Sequence, residues 1–215
     1  ERYFNSCYQF NPGGQIEQRQ DKVRLVPFTE QVPYQDEIPF LRQETLVKYL
    51  TFIKTMDINW WSDFYPGDSQ VVFRLPDKSY GVLICFESTF PEDSRSIIRR
   101  GAEFLVAITN DSWWGTSHAL HMHSRICVTR AVENRCWIAR CANSGLTYTV
   151  DGYGRIHEEL KLDAVKALVG HIGLLSEYSV FTQVGDLAGK GSFLITLLVC
   201  GILPVRWVAR RILRR

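Results

Sequence analysis

The sequence predicts an α/β fold, and three observations lead there. Apolar runs of strand length occur at 81–84 and 104–109. Segments with helix-start and helix-stop signals follow them. Tight-turn residues, Asn143-Ser144-Gly145 and Asp151-Gly152-Tyr153-Gly154, then close two further strand-like runs at 137–141 and 146–150. Composition sets the outer bounds. The 215 residues are 46% apolar and 22% charged, which excludes wholesale disorder. A mean hydropathy of −0.11 excludes a polytopic membrane protein. A net charge of +2 gives no reason to expect nucleic acid as a partner. The six cysteines (Cys7, Cys85, Cys127, Cys136, Cys141, Cys200) form no C-x-x-C pair, which speaks against a zinc knuckle or a redox dithiol, and no metal or cofactor is expected.

Taken in order, residues 3–10 are strand-like and run into the turn Asn11-Pro12-Gly13-Gly14, while 15–24 form a polar run. The chain begins without an initiator Met or a signal peptide and reads as a fragment entered in mid-domain. After the 81–84 strand, residues 88–93 supply an N-cap candidate, an early Pro91 and the acidic Glu92 and Asp93. Arg99-Arg100-Gly101 supply terminal cations and a C′ glycine. A second helix is expected over 121–134, with Met122, Ile126, Ala131 and Val132 as its buried side.

The C-terminus differs from the rest. No charge interrupts 191–205, and residues 187–209 are long enough to span a bilayer, with Lys190 and Arg206 near the ends. Trp207 sits where an interfacial aromatic belongs. Arg206, Arg210, Arg211, Arg214 and Arg215 crowd the end and place it on the cytoplasmic side. The expected domains are therefore 1–186, a transmembrane helix at 187–209 and a basic tail at 210–215. The alternative for 187–209 is a buried core helix.

Cys85 ends the 81–84 strand just before the loop that feeds the Pro91 helix, where a helix N-terminus favours thiolate. On local pattern alone it is either a nucleophile or a small core residue. Lys22, Glu30 and Glu87 stand likewise between function and a solvated surface.

Several ordered motifs decide between these readings. Lys22-Val23-Arg24-Leu25-Val26-Pro27-Phe28-Thr29-Glu30-Gln31-Val32-Pro33 resembles the K-x-x-L-V-P-F-G-E-x-x-P signature of apolipoprotein N-acyltransferases, the membrane-anchored branch of the nitrilase or carbon–nitrogen hydrolase superfamily. Leu83-Ile84-Cys85-Phe86-Glu87 resembles their I-C-Y-E segment, and Asn110-Asp111-Ser112-Trp113-Trp114-Gly115 resembles N-D-A-W-F-G. His123, Arg130-Ala131-Val132-Glu133, Arg140 and Asn143-Ser144-Gly145 follow in the family's order, and Tyr178 with Gly185-Asp186 resembles the approach to its last membrane helix.

The resemblance implies an α-β-β-α sandwich, here partial, followed by one C-terminal transmembrane helix. It implies catalysis by Cys85 as nucleophile, Lys22 as oxyanion partner, and Glu30 and Glu87 as further active-site carboxylates. Phe86, Asn110, Trp113 and Trp114 are expected to touch substrate, and Trp60, Trp61, Phe64 and Tyr65 are candidates for a lid. The implied reaction moves an acyl chain from a membrane phospholipid, through a Cys thioester, to the lipid-modified N-terminal cysteine of a diacylglyceryl-modified apolipoprotein. The implied location is the inner membrane with the domain on the periplasmic face of the lipid bilayer. The family's acid/base Glu belongs to an upstream W-P-E-like segment with no match here. A nitrilase-type amidase with water as acceptor and a non-catalytic membrane-anchored relative are the alternatives. Two positions depart from the pattern: Phe86 replaces Tyr, and Thr29 replaces a Gly that a positive φ at that position would require.

Overall fold

The computed structural model describes residues 2–35, 37–41, 45, 63–115, 117–160, 162 and 165–212. A six-stranded mixed sheet in the order β3-β4-β5-β6-β7-β8 forms its centre. The strands are β3 (Val72–Arg74), β4 (Ser79–Ile84), β5 (Phe104–Thr109), β6 (Ile138–Ala142), β7 (Thr147–Val150) and β8 (Ile156–Leu160). β4, β5 and β6 are parallel, and the flanking pairs are antiparallel.

The crossovers between the parallel strands are α1 (Pro91–Arg99) and α2 (His118–Asn134), and both cover the same face. Strand alternation sorts the side chains. Leu83, Leu105, Ala107, Ile138 and Val150 meet Ile97, Ile98, Cys127 and Ala131 under the helices, each large aliphatic contributing about 1.5–3 kcal/mol on burial. Val82 and Ile84 point to the opposite face and cluster with Phe73.

The polar run at 15–24 is not a loop. Residues Ile16–Asp21 form β2, paired antiparallel with β1 (Ser6–Phe10); of the expected 3–10 strand, Tyr3 contributes only an isolated bridge to Phe64. Alternate β2 side chains replace a backbone ladder. Gln18 donates to the Arg74 carbonyl and accepts from its N–H, both at 3.0 Å. Gln20 donates to the Val82 carbonyl at 3.0 Å and accepts from Val71 N–H at 2.9 Å. The Gln18 amide occupies part of the open β3 edge, and the Gln20 amide bridges Val82 of β4 to Val71, just before β3. Period two then carries Lys22 to the same inward side, just past the strand's end.

Both helices depart from expectation in an instructive way. α1 has Pro91 at its start and Gly101 (φ 99°) past its end as predicted, but Phe90 is its N-cap and no side chain caps it. Ser88 instead belongs to a 3-10 turn, Cys85–Thr89, and donates to the Cys85 carbonyl at 2.9 Å. In α2 the expected apolar side is largely wrong: Met122 is 70% and Val132 46% exposed. The buried positions are Leu120, His123, Ser124, Cys127, Arg130, Ala131 and Asn134, a helical stripe rich in polar groups.

A short helix, α3 (Val180–Val184), is tied to α1 by Arg95, which donates to the carbonyls of Phe181, Thr182 and Gln183 at 3.0–3.1 Å. It leads into α4 (Leu187–Ile212), one continuous helix across the expected span. Among the described residues no helix is long and apolar enough to cross a membrane. The alternative of a buried core helix is not realised. Phe193, Leu194, Ile195, Leu197 and Leu198 are all exposed, over more than half of the helix circumference.

Candidate active site

Cys85 closes β4 at the carboxyl edge of the parallel strands, where α/β sheets present their ligands. Its φ is 52°, in the left-handed region that costs a non-glycine residue about 1–3 kcal/mol. The 3-10 turn of Cys85–Thr89 holds it there. Ser88 bonds back to the Cys85 carbonyl and Thr89 to that of Phe86, at 2.9 and 2.7 Å. Other cysteines sit in different surroundings. Burial pushes the Cys7 thiol up to about 11 and the Cys136 thiol up to about 12, and raises Cys127 also. Cys141 and Cys200 are exposed away from this turn.

Lys22 is 1% exposed, so it is not a surface lysine. Its Nζ donates to Glu30 Oε1 at 2.9 Å and Oε2 at 2.7 Å. Glu30 is returned toward Lys22 by the turn that follows Val26, and its carboxylate also accepts from Val26 N–H at 2.8 Å and Asn5 Nδ2 at 3.0 Å. With both oxygens engaged, Glu30 is fitted to hold the ammonium rather than to carry protons. In this turn the positive φ falls on Phe28 (64°), not on Thr29, so threonine replaces glycine there without strain.

Glu87 is fully buried and touches no open space. It accepts from Val23 N–H at 2.7 Å, Ile84 N–H at 2.8 Å and Arg24 N–H at 3.4 Å. It thereby clasps the Lys22 loop to the Cys85 turn. Burial raises its pKa, against the opposing pull of those backbone N–H groups. Its geometry is that of a positioning residue.

A second charged group underlies the turn. Asp111 is buried; its Oδ1 accepts from His123 Nδ1 at 3.0 Å and Thr109 Oγ1 at 2.9 Å, and its Oδ2 from Arg140 at 2.5 Å. Burial alone would raise its pKa, but the His123 and Arg140 bonds bring it down to about 2. His123 Nε2 lies 3.3 Å from the Cys85 carbonyl oxygen, which joins this network to the Cys85 peptide. Asn143 Oδ1 accepts from Asp111 N–H at 3.1 Å. A Cβ on Gly145 would stand 2.2 Å from Asp111 Oδ2, so the N-x-G segment needs glycine for space.

Two cavities open on Cys85. One, of about 640 Å³, is lined by Val26, Phe86, Trp113, Trp114, Met122 and Ile126 among others. The second, of about 420 Å³, is lined by Asn5, Phe64, Asn110, Thr109 and Asn143. Thr29, Glu30 and Trp113 belong to both. A larger cavity of about 870 Å³ lies over β6 and β7 beside Cys141 and holds none of the predicted residues. Its size gives it no claim on the chemistry.

The structure thus brings together Cys85, Lys22, Glu30, Phe86, Asn110, Trp113 and Trp114, and puts Glu87 beneath them. Of the lid candidates, Phe64 lines the smaller cavity and Tyr65 packs on Phe4 beneath Arg2; Trp60 and Trp61 lie outside the described residues. Sequence reasoning missed Asn5, which carries no motif, and assigned no role to His123, Asp111 and Arg140 although it noted their order. It also put Met122 and Ile126 in the core instead of on the larger cavity. Among the described residues no group of three or more His, Cys, Asp or Glu is arranged to hold a metal ion.

Residues 1–174 match the carbon-nitrogen hydrolase family. The apolipoprotein N-acyltransferase of Geobacter metallireducens is 37% identical over 185 residues, covering 86% of this chain and 33% of that protein. That of Thermotoga maritima is 35% identical over 175 residues, covering 81% and 32%. The chain spans about a third of the length of these curated relatives. Among solved structures, an amidase from Nesterenkonia sp. shares the fold, with a TM-score of 0.54 at 17% identity over 87% of this chain and 60% of the amidase.

Proposed function

The chain belongs to the carbon–nitrogen hydrolase family, and on that basis we propose that it is the catalytic part of an apolipoprotein N-acyltransferase. The observation that carries the proposal is Cys85, held at a left-handed φ of 52° at the mouth of an aromatic-lined cavity beside a buried lysine–glutamate pair.

In this reading the Cys85 thiolate attacks the ester carbonyl of a membrane phospholipid. The carbonyl π pair moves onto oxygen, where Lys22 stabilises the oxyanion, a contribution of about 3–4 kcal/mol for one well-placed donor elsewhere. Collapse breaks the ester C–O bond, releases the lysophospholipid alcohol with a proton, and leaves an acyl thioester. The α-amino group of an apolipoprotein's diacylglyceryl-cysteine then attacks the thioester. The C–S bond breaks, the amine gives up a proton, and an amide forms. Glu30 keeps Lys22 charged and fixed, and Glu87 keeps the two loops in register. We assign the proton-carrying carboxylate to sequence upstream of residue 1.

We further propose that residues 1–186 form part of the extracytoplasmic domain, that 187–209 span the inner membrane, and that 210–215 face the cytoplasm. Exposed apolar side chains around α4 support this, since an unpacked helix of that kind finds its solvent in lipid.

Single-turnover acylation of the full-length protein tests the reading. Cys85→Ala is expected to abolish hydroxylamine-sensitive acylation. Lys22→Met is expected to slow it by about 100-fold or more, with folding monitored in parallel. Acylation that persists in Cys85→Ala would falsify the assignment.

A further inference from the structure

We infer that Cys85 separates two subsites of different chemistry: the larger cavity takes the fatty acyl chain, and the smaller takes the peptide end of the amine acceptor. The inference rests on the acyl-transfer reading and adds to it which wall holds which group.

The larger of the two cavities at Cys85 is walled mostly by apolar side chains, with Thr29, Glu30, Thr89 and His123 as its polar members. Phe86, Trp113 and Trp114 come from the two turns that end β4 and β5, and Ala119, Met122 and Ile126 come from α2. The α2 contribution is unusual for a surface helix. Its inward stripe holds His123, Ser124, Arg130 and Asn134, while positions 119, 122 and 126 put apolar side chains outside. Met122 is 70% exposed in consequence. On this side of α2 the thioether of Met122 stands with Ala119 and Ile126 as a wall for an apolar ligand, and methionine adapts to flexible ones. At about 640 Å³ the cavity falls within the range that holds small-molecule ligands, roughly 300–1,000 Å³.

The smaller cavity carries amides instead. Asn110 Oδ1 is filled by Ser112 N–H at 3.1 Å, Ser112 Oγ at 2.6 Å and Asn143 Nδ2 at 2.8 Å. Asn110 Nδ2 has no partner among the described residues and remains a donor. Across the cavity, Asn5 has its Nδ2 committed to Glu30 at 3.0 Å, which leaves Oδ1 as an acceptor. The carboxylate and backbone partners fix both amide orientations. One donor and one acceptor above a floor of Ile84 and Ile108 match the carbonyl and N–H of a peptide unit, or an amine. Neither group suits an alkyl chain.

The test uses the full-length protein in detergent micelles with an equimolar mixture of dipalmitoyl- and dioctanoyl-phosphatidylethanolamine, reading Cys85 thioesters by mass spectrometry. Met122→Trp and Ile126→Trp shorten the larger cavity and are expected to lower the palmitoyl-to-octanoyl ratio by about tenfold, given that each methylene excluded from an apolar site costs about fourfold in binding. Met122→Ala should move the ratio the other way, which guards against a misfolded tryptophan variant. Asn110→Leu is assayed on preformed palmitoyl thioester with a diacylglyceryl-cysteine peptide as acceptor. It is expected to slow transfer about tenfold more than it slows thioester formation, the loss typical of one removed hydrogen bond to a polar ligand. Chain-length ratios within about twofold of the parent in all three α2 variants would overturn the acyl assignment. Equal slowing of both half-reactions by Asn110→Leu would overturn the acceptor assignment. Absence of any Cys85 thioester in the parent protein would remove the acyl-transfer reading itself, a result distinct from either.

Discussion

Glu87 and Asp111 are both fully buried near the carboxyl ends of neighbouring strands, yet their surroundings move them in opposite directions. Asp111 faces a guanidinium and an imidazole and is pulled down to about 2. Among the described residues Glu87 accepts hydrogen bonds from backbone N–H groups alone, and burial, with a smaller push from Asp93, raises it. The difference shows that burial pushes both carboxylates up, and that charged partners, where present, outweigh it. It also separates two kinds of support for Cys85. The Asp111 group is an ion network that shapes the underside of the turn, and Glu87 is a clasp made from peptide donors.

The largest test of this contrast is Asp111→Ala. The Arg140 side chain is 0% exposed and would keep its charge without a counter-ion. Breaking a buried pair in this way costs about 3–5 kcal/mol, read as a shift of the urea midpoint at constant slope. A loss below about 1 kcal/mol would show that Arg140 is balanced from elsewhere, and the ion-network side of the comparison would fall.

Gly145→Ala sharpens the same point with a smaller effect. The new methyl group would enter the space of Asp111 Oδ2, so Asp111 must shift, at about 1–3 kcal/mol for overpacking of this kind. If crowding of the Asp111 carboxylate is the main cause, the penalty shrinks in the Asp111→Ala background, where only the Cβ contact at 2.9 Å remains. Additive losses in the double mutant would point to a different role for the glycine.

How much of this was legible in the sequence depends on the kind of force at each element. β5 matched its expected run residue for residue, because a central parallel strand, buried at Leu105 and Ala107 and partly covered on its other face, is apolar over nearly its whole length. The ordered motifs pointed to Cys85, Lys22 and Glu30, and the structure sets a half-buried Cys85 on the same cavities as Glu30, whose carboxylate holds the buried Lys22. The polar elements defeated hydrophobic patterning. β2 buries Gln20 to complete a backbone ladder, and α2 buries His123, Arg130 and Asn134 to complete networks. A pattern reader assigns such residues to solvent and so turns the helix to the wrong side. Period two along Gln18, Gln20 and Lys22 was the available signal for the first. For the second, the spacing of His123, Arg130 and Asn134 held the information, but hydrophobicity weighted it with the wrong sign. The cap of α1 failed for another reason: Ser88 serves the Cys85 turn, so local capping gave way to the site.

The smallest effect expected is a difference in the pH dependence of stability. The His123 and Arg140 partners bring Asp111 down to about 2 in the fold, against an ordinary aspartate value of 3.8. Its contribution to stability is therefore complete above pH 3.8 and is lost as pH falls toward 2. Glu87 has the opposite sign. Its pKa is raised from 4.5, so the fold favours its protonated form; that contribution is complete below pH 4.5 and is lost as pH rises through the raised value. The parent protein should gain stability from pH 2 to about 4 and give part of it back above 4.5. Glu87→Gln cannot ionise. It should lower the whole curve, because its amide N–H₂ meets a backbone donor where the carboxylate accepted one, but it should also remove the decline above 4.5 and leave the acid rise intact. Urea midpoints of the two proteins across this range are the measurement. A decline of equal depth in both would assign it to other groups and leave Glu87 ionised at no cost to the fold, in which case peptide donors alone would be as effective as Arg140 and His123 in holding a buried carboxylate charged.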